Sequence, residues 1–166
     1  MITLDEEDLI GDLAKRLGIE RTVVCGIGNE LRGDDGVGML IAGNLSGENL
    51  RDDVQVIQCG ELPENFLQDI VEHDPGCVVM LDAVDAGKPT GSIVLVESGE
   101  IVSNTISTHR LPLSFLSKII ESRLDHEVDI FVIGIQIENC GFGEEMTPAV
   151  VRSADVLRSS LSRLLS

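Results

Sequence analysis

The feature that most limits the fold of this chain is a regular alternation of short apolar runs with longer segments of helical periodicity. The apolar runs that predict strands are "RTVVCGIG", "DVQVIQC", "GCVVMLDAVDAG", "GSIVLVE" and "VDIFVIGIQI". The segments that predict helices are "LDEEDLIGDLAKRL", "DDGVGMLIAGNL", "ELPENFLQDIVEHD", "LPLSFLSKIIESRL" and "TPAVVRSADVLRSSLSRLLS". The order α-β-α-β-α-β-β-α-β-α predicts an α/β fold, a three-layer α/β/α sandwich with a twisted, mostly parallel sheet of about five strands and helices on both faces.

The chain shows no linker, repeat or low-complexity segment, so we expect one domain over 1–166. An N-terminal helix would occupy 1–18, the motif-bearing core 22–150, and a closing helix 147–166, with Thr147 as its N-cap and Pro148 at its first position. The turn "DAGKPTG" is too short for a crossover helix. The fourth strand is therefore expected to lie antiparallel to the third, at an edge of the sheet.

Charge narrows the range of partners. The chain has 29 acidic and 12 basic residues and a formal charge of -17. This charge disfavours binding to nucleic acid and to anionic lipid. A basic partner or a cation fits better, although the same excess is also explained by solubility. The N-terminus does not resemble a signal peptide and no segment approaches about 18 apolar residues, so a cytoplasmic protein without membrane insertion is expected. Cys25 and Cys77 lie in apolar runs and are expected to be buried free thiols.

The stretch "VVCGIGNELRGDDGVG" begins like a nucleotide-binding loop, but the third glycine of the G-x-G-x-x-G pattern is Leu31. A phosphate at the following helix would also meet Asp34 and Asp35, which are like charges. One alternative is that Asp34 caps the helix and Asp35 favours its dipole. Capping alone does not explain the many glycines in this loop, which indicate a backbone packed closely against something.

Parallel strands bring polar residues together at their carboxyl ends, where such folds bind ligands. Asp34 and Asp35 follow the first strand, residues 58–61 follow the second, Asp82 and Asp85 end the third, and His109 could reach the same edge. Carboxylates with one imidazole suit a divalent transition ion such as nickel or zinc. A loop histidine can equally be a surface residue. There is no G-x-S-x-G motif and no cysteine near His109 in sequence, which disfavours a serine or cysteine protease.

Five segments in order resemble the [NiFe]-hydrogenase maturation endopeptidases, over about residues 22–150. They are "GIGNELRGDDGVG", "GELPENF", "LDAVDAG", "STHRLPLS" and "GIQIENCGFGEEMTP". The chain departs from the family at Gln58, where an aspartate is frequent, and at Ile137, where "G-I-Q-P" is usual. The first departure puts in doubt an auxiliary carboxylate after the second strand.

The resemblance implies an aspartic-type endopeptidase that removes the C-terminal extension of a nickel-loaded hydrogenase large-subunit precursor. It implies that Asp35, Asp82 and His109 contact the metal and form the catalytic site, and that the nickel is supplied by the substrate. Zinc and cadmium would be able to occupy the same site in vitro. Asp34 and Asp85 are expected to fix their loops, and a monomer is expected. A metal-polarised carbonyl or a metal-activated water, with a carboxylate as base, is a reasonable route to cleavage.

Two alternatives stay open at the level of sequence. A non-catalytic nickel-binding or chaperone protein on the same scaffold would keep Asp35, Asp82 and His109 but release no peptide. A metal-dependent hydrolase of another substrate is also compatible, because a fold does not determine a function.

Overall fold

A computed structural model describes residues 1–100 and 113–166, and these form a six-stranded mixed sheet with helices on both faces. The strands are β1 (Ile2–Leu4), β2 (Thr22–Ile27), β3 (Val54–Gly60), β4 (Cys77–Val84), β5 (Ile93–Glu97) and β6 (Asp129–Gln136). The helices are α1 (Glu6–Leu17), α2 (Val37–Leu45), α3 (Leu67–Glu72), α4 (Leu113–Arg123) and α5 (Pro148–Leu164). Short 3-10 turns lie at Gly33–Gly36, Pro63–Phe66 and Ser98–Glu100. The predicted three-layer α/β/α sandwich is confirmed.

The strand order is β1-β5-β6-β4-β2-β3, and β3, β2, β4 and β6 are mutually parallel. The prediction for the fourth strand, here β5, was wrong in its partner and position: β5 pairs antiparallel with β6 rather than with β4, and it is not an edge strand. The short turn after β4 carries the chain past the position that β6 later fills. A turn length predicts that no crossover helix intervenes, but it does not reveal which strand will arrive later.

The N-terminus contains a strand that the sequence did not predict. Ile2–Leu4 pairs antiparallel with β5 as the outer strand of the sheet, so α1 begins at Glu6 rather than at the first residues. Asp5 is the N-cap, and its side chain accepts a 2.9 Å hydrogen bond from the N–H of Asp8. A three-residue strand is too short to show the alternation on which strand prediction depends.

Apolar side chains fill both faces of the sheet. On one face the sheet packs against α1, α2 and α5 through residues such as Leu13, Ile41 and Leu157. On the other face it packs against α3 and α4 through Ile70 and Leu116. All eight residues of β4 are buried, as expected for a parallel strand that is covered on both sides.

The cysteines are part of this core. Cys25 and Cys77 are buried free thiols, as predicted. Burial is the largest cause that raises the pKa of the Cys77 thiol, to about 12. Such a thiol stays protonated at neutral pH and behaves as a small apolar side chain.

Candidate functional site

The loop between β2 and α2 is held tightly against the sheet, which explains its glycines. Gly28 has φ 136°, and a Cβ at this position would lie 1.9 Å from the carbonyl oxygen of Asp35. A Cβ on Gly38, in the first turn of α2, would lie 2.2 Å from the carbonyl oxygen of Leu81 and 2.5 Å from that of Ile27. The start of α2 therefore rests directly on the carboxyl ends of β2 and β4, and only glycine permits this approach.

Asp35 lies in this loop and is almost completely buried, with 3% of its surface exposed. Its Oδ2 accepts a 3.1 Å hydrogen bond from the N–H of Asn29. A cleft of about 450 Å³ opens beside it, lined by Asn29, Arg32, Asp35, Glu61, Cys140 and Phe142. Asp35 is therefore almost completely buried and yet contributes to the lining of a cleft.

Asp82 is buried near the carboxyl end of β4, with 2% of its surface exposed. Its Oδ1 accepts a 2.8 Å hydrogen bond from the N–H of Ala83. β4 and β2 are neighbours, and the chain leaves β2 toward β3 on one side before it returns to β4 on the other. The carboxyl ends of β2 and β4 thus form the topological switch point, where open α/β sheets bind ligands. Asp35 and Asp82 share this edge of the sheet, although Asp82 does not line the cleft beside Asp35.

Asp34 is fully buried. It connects the loop between β2 and α2 to the loop between β6 and α5. Its Oδ2 accepts hydrogen bonds from the N–H groups of Glu138 and Asn139, both at 2.9 Å, and from the Thr147 hydroxyl at 2.7 Å. Its Oδ1 accepts a 2.6 Å bond from the N–H of Thr147. Burial raises the pKa of Asp34, but the hydrogen bonds from Asn139, Glu138 and Thr147 prevail and lower it below its ordinary value.

These contacts correct the predicted role of Thr147. Pro148 occupies the first position of α5 and Thr147 is its N-cap residue, but the Thr147 side chain makes no capping hydrogen bond. Its hydroxyl bonds to Asp34 instead. The contact joins residues 113 apart in sequence, which local helix signals do not reveal.

Asp85 is exposed and is held by a glutamine of β6. The Nε2 of Gln136 donates to Asp85 Oδ1 at 3.1 Å, while its Oε1 accepts from the N–H groups of Ala86 and Lys88 at 2.7 and 3.3 Å. Gln136 is itself 4% exposed. Asp85 is therefore part of the network that shapes the turn after β4.

Of the six residues that line the cleft, Asp35 was a predicted site residue, whereas Asn29, Arg32, Glu61, Cys140 and Phe142 were not predicted individually. Glu61 lies just after β3, at the edge where a carboxylate was doubted because Gln58 replaces the usual aspartate. The Gln58 side chain is directed instead toward α2, where its Nε2 donates to the Met39 carbonyl at 3.2 Å. The prediction that residues 58–61 follow a strand end could have identified Glu61.

His109, the third predicted metal-contacting residue, lies outside the described residues, together with most of the segment "STHRLPLS". Within 1–100 and 113–166, no three histidine, cysteine or acidic side chains are grouped as the ligands of one metal ion.

The chain is similar to known hydrogenase maturation proteins. The family model described as hydrogenase maturation protease, HycI, matches residues 39–161, which include Asp82 and His109. Hydrogenase 3 maturation protease of Escherichia coli K12 is 29% identical, over 84% of this chain and 87% of its own length.

Two solved structures agree with this match. The crystal structure of the [NiFe] hydrogenase maturation protease HycI from Thermococcus kodakarensis superposes with a TM-score of 0.85 at 32% identity, covering 93% of this chain and 98% of that one. The solution structure of the endopeptidase HycI from Escherichia coli superposes with a TM-score of 0.75 at 27% identity, covering 86% and 89%.

Proposed function

This chain belongs to the hydrogenase maturation protease family, and we propose that it is the endopeptidase that removes the C-terminal extension of a nickel-loaded [NiFe]-hydrogenase large-subunit precursor in the cytoplasm. Membership of the family makes the chain a peptidase of hydrogenase maturation. We further propose that cleavage depends on nickel and that side chains of this chain recognise the metal. No helix within 1–100 and 113–166 is both long enough and apolar enough to cross a bilayer.

The observation that carries the proposal is the position of two buried aspartates at the switch point of the sheet. Asp35 follows β2 and Asp82 lies near the carboxyl end of β4, and less than 4% of either residue is exposed. Buried carboxylates need hydrogen-bond donors or cations around them, and Asp35 and Asp82 each accept a hydrogen bond from a backbone N–H. Glycines fix the loop of Asp35 against both strands, so this site is built on a rigid part of the fold.

We propose that Asp35, Asp82 and His109 contact the nickel ion that the precursor already holds. Two carboxylates with one imidazole supply oxygen and nitrogen ligands that suit a divalent transition ion. The precursor would supply the remaining ligands. A precursor without nickel would offer these side chains nothing to bind, so cleavage would wait until the metal has been inserted.

The same arrangement supports peptide hydrolysis. A cation beside the scissile carbonyl polarises it as a Lewis acid. A carboxylate at this site would then accept a proton from the attacking water, as a general base, and return it to the leaving amine. His109 would complete the set of groups around the metal.

The proposal is tested by intact-mass measurement of the precursor over time, with nickel-loaded and nickel-free precursor in parallel. We expect the wild type to remove the C-terminal tail from the loaded precursor only. Asp35→Asn and Asp82→Asn should each slow cleavage by roughly 100-fold or more, the usual contribution of a positioned acid–base or charge-stabilising group. Asp85→Asn is the matched control, because Asp85 is exposed and its contact with Gln136 needs only an acceptor oxygen.

The outcomes separate the candidate functions. Binding of the loaded precursor without loss of mass would indicate a non-catalytic nickel-binding protein. Normal cleavage by Asp35→Asn and Asp82→Asn would contradict the proposed site while leaving the endopeptidase activity in place. Equal cleavage of nickel-free precursor would contradict recognition of the metal.

A further inference from the structure

Three exposed apolar side chains lie on the loops that line the cleft beside Asp35. Leu31 is 62% exposed, Leu62 is 45% exposed and Phe142 is 74% exposed. Phe142 lines the cleft, while Leu31 and Leu62 each adjoin a lining residue in the chain. We refer to Leu31, Leu62 and Phe142 as the apolar rim.

The exposure of Phe142 is not a consequence of abundant aromatic residues. The chain has four phenylalanines and no tyrosine or tryptophan. Phe142 is therefore one of only four such aromatic side chains in the sequence. Gly143 follows with φ 77°, and its N–H donates a 2.8 Å hydrogen bond to the Leu31 carbonyl. This backbone hydrogen bond therefore joins the loop of Leu31 to the loop of Phe142. Grouped apolar side chains beside a cleft mark a surface that another molecule covers.

The loops that carry the rim are strongly acidic. Loops 28–36, 60–62 and 137–147 contain five exposed glutamates and one exposed basic residue, Arg32. The glutamates are Glu30, Glu61, Glu138, Glu144 and Glu145. Exposed apolar side chains on loops that also carry charges mostly of one sign have the composition of a protein-binding surface, in which apolar contacts supply affinity and charges select the partner.

We propose that the apolar rim and these glutamates are the docking surface for a protein segment that carries apolar side chains flanked by lysine or arginine. The inference rests on the proposed function, because it assigns this segment to the large-subunit precursor. Phe142 is the main anchor, since large, rigid aromatic side chains dominate the binding energy of such surfaces. The surface binds the precursor through contacts that do not involve the metal. Asp35 and Asp82 bind the nickel ion when the precursor carries it.

The experiment measures binding without cleavage. Nickel-free precursor, labelled with a fluorophore, is titrated with the full-length protein, and the dissociation constant is read from fluorescence anisotropy. Phe142→Ser should raise the dissociation constant roughly 10-fold or more, as loss of an interface anchor does. The double variant Glu144→Lys/Glu145→Lys should also raise it and should weaken its dependence on salt.

Two controls lie at the other end of the sheet or on another element. Ile19→Ser removes an apolar side chain that is 89% exposed and precedes β2 at its amino end. Glu6→Lys/Glu7→Lys makes the same charge change on α1. Both should leave the dissociation constant unchanged.

The docking surface is overturned if Phe142→Ser and Glu144→Lys/Glu145→Lys bind like the wild type, or if the wild type does not bind nickel-free precursor. Failure of the proposed function looks different: the wild type would bind the precursor through the rim and leave the tail of the nickel-loaded form uncut.

Discussion

At the scale of single residues, the structure separates two adjacent aspartates that the sequence shows only as a pair. Asp34 uses both carboxylate oxygens to hold backbone and hydroxyl groups of the last loop, while Asp35 lines the cleft. Sequence patterns predicted that both lie at the carboxyl ends of parallel strands. They could not assign the roles, because the partners of Asp34 lie more than 100 residues away.

The different roles of Asp34 and Asp35 predict that Asp34→Asn mainly lowers the free energy of unfolding. The amide nitrogen of asparagine cannot accept the donors that surround one oxygen of Asp34, so we expect a loss of roughly 2–4 kcal/mol in the free energy of unfolding. Asp85→Asn should change it by less than about 0.5 kcal/mol. Urea unfolding monitored by circular dichroism measures both variants. A loss for Asp34→Asn no larger than that for Asp85→Asn would contradict the structural role.

The pH dependence of Asp34→Asn has a definite sign. The pKa of Asp34 is lowered in the folded state, so its contribution to stability is present above the pKa of the unfolded chain, about 4, and is lost as the pH falls through the folded value. The difference in the free energy of unfolding between wild type and Asp34→Asn should therefore be constant above about pH 5 and shrink below about pH 4. A difference that grew on acidification would show that another group dominates.

At the scale of secondary-structure elements, hydrophobic periodicity predicted all five helices and five of the six described strands. It missed β1 because three residues show no alternation, and it misplaced β5 because strand order depends on long-range contacts. The glycines of the first loop were recognised as signs of close packing. Their contacts, with the ends of β2 and β4, became visible only in the fold.

Two helical glycines, Gly38 in α2 and Gly11 in α1, test whether α2 packs closely against the ends of β2 and β4. A Cβ on Gly38 would overlap the Leu81 and Ile27 carbonyls, whereas a Cβ on Gly11 meets no atom within 4 Å. Gly38→Ala should lower the free energy of unfolding by roughly 1–3 kcal/mol through overpacking. Gly11→Ala should raise it by about 0.5–1 kcal/mol, because alanine has the higher helix propensity. Thermal unfolding compares the two, and equal effects would contradict the close approach of α2 to the sheet.

Gly38→Ala should also slow precursor cleavage, because the substitution displaces the start of α2 and with it Asp35. Gly11→Ala should leave cleavage unchanged. Normal cleavage by a destabilised Gly38→Ala would mean that Asp35 tolerates movement of α2, the helix that follows it.

At the scale of the whole molecule, the formal charge of -17 is an acidic excess that ion pairs leave unchanged, because each pair uses one acidic and one basic residue. Pairs in the described parts of the chain, such as Arg158 with Glu48 at 2.7 Å and Arg51 with Asp53 at 3.0 Å, are partly exposed. Exposed pairs contribute little, about 0–1 kcal/mol each. The sequence predicted the repulsion of polyanions from this charge, and the structure adds that five exposed glutamates lie on the loops that contribute residues to the cleft.

Repulsion between these carboxylates should make the fold more stable in salt. Raising sodium chloride from 0.05 to 0.5 M at pH 7 shortens the Debye length from about 14 to about 4 Å, which screens repulsion across the surface more than it weakens contact pairs. We expect about 1 kcal/mol of stabilisation, an increase in Tm of about 2–4 °C for a domain of this size. At pH 4.5, near the pI of 4.3, the increase should vanish because the net charge is close to zero. A Tm that fell with salt at pH 7 would mean that the ion pairs, rather than the acidic excess, govern the electrostatic free energy of the fold.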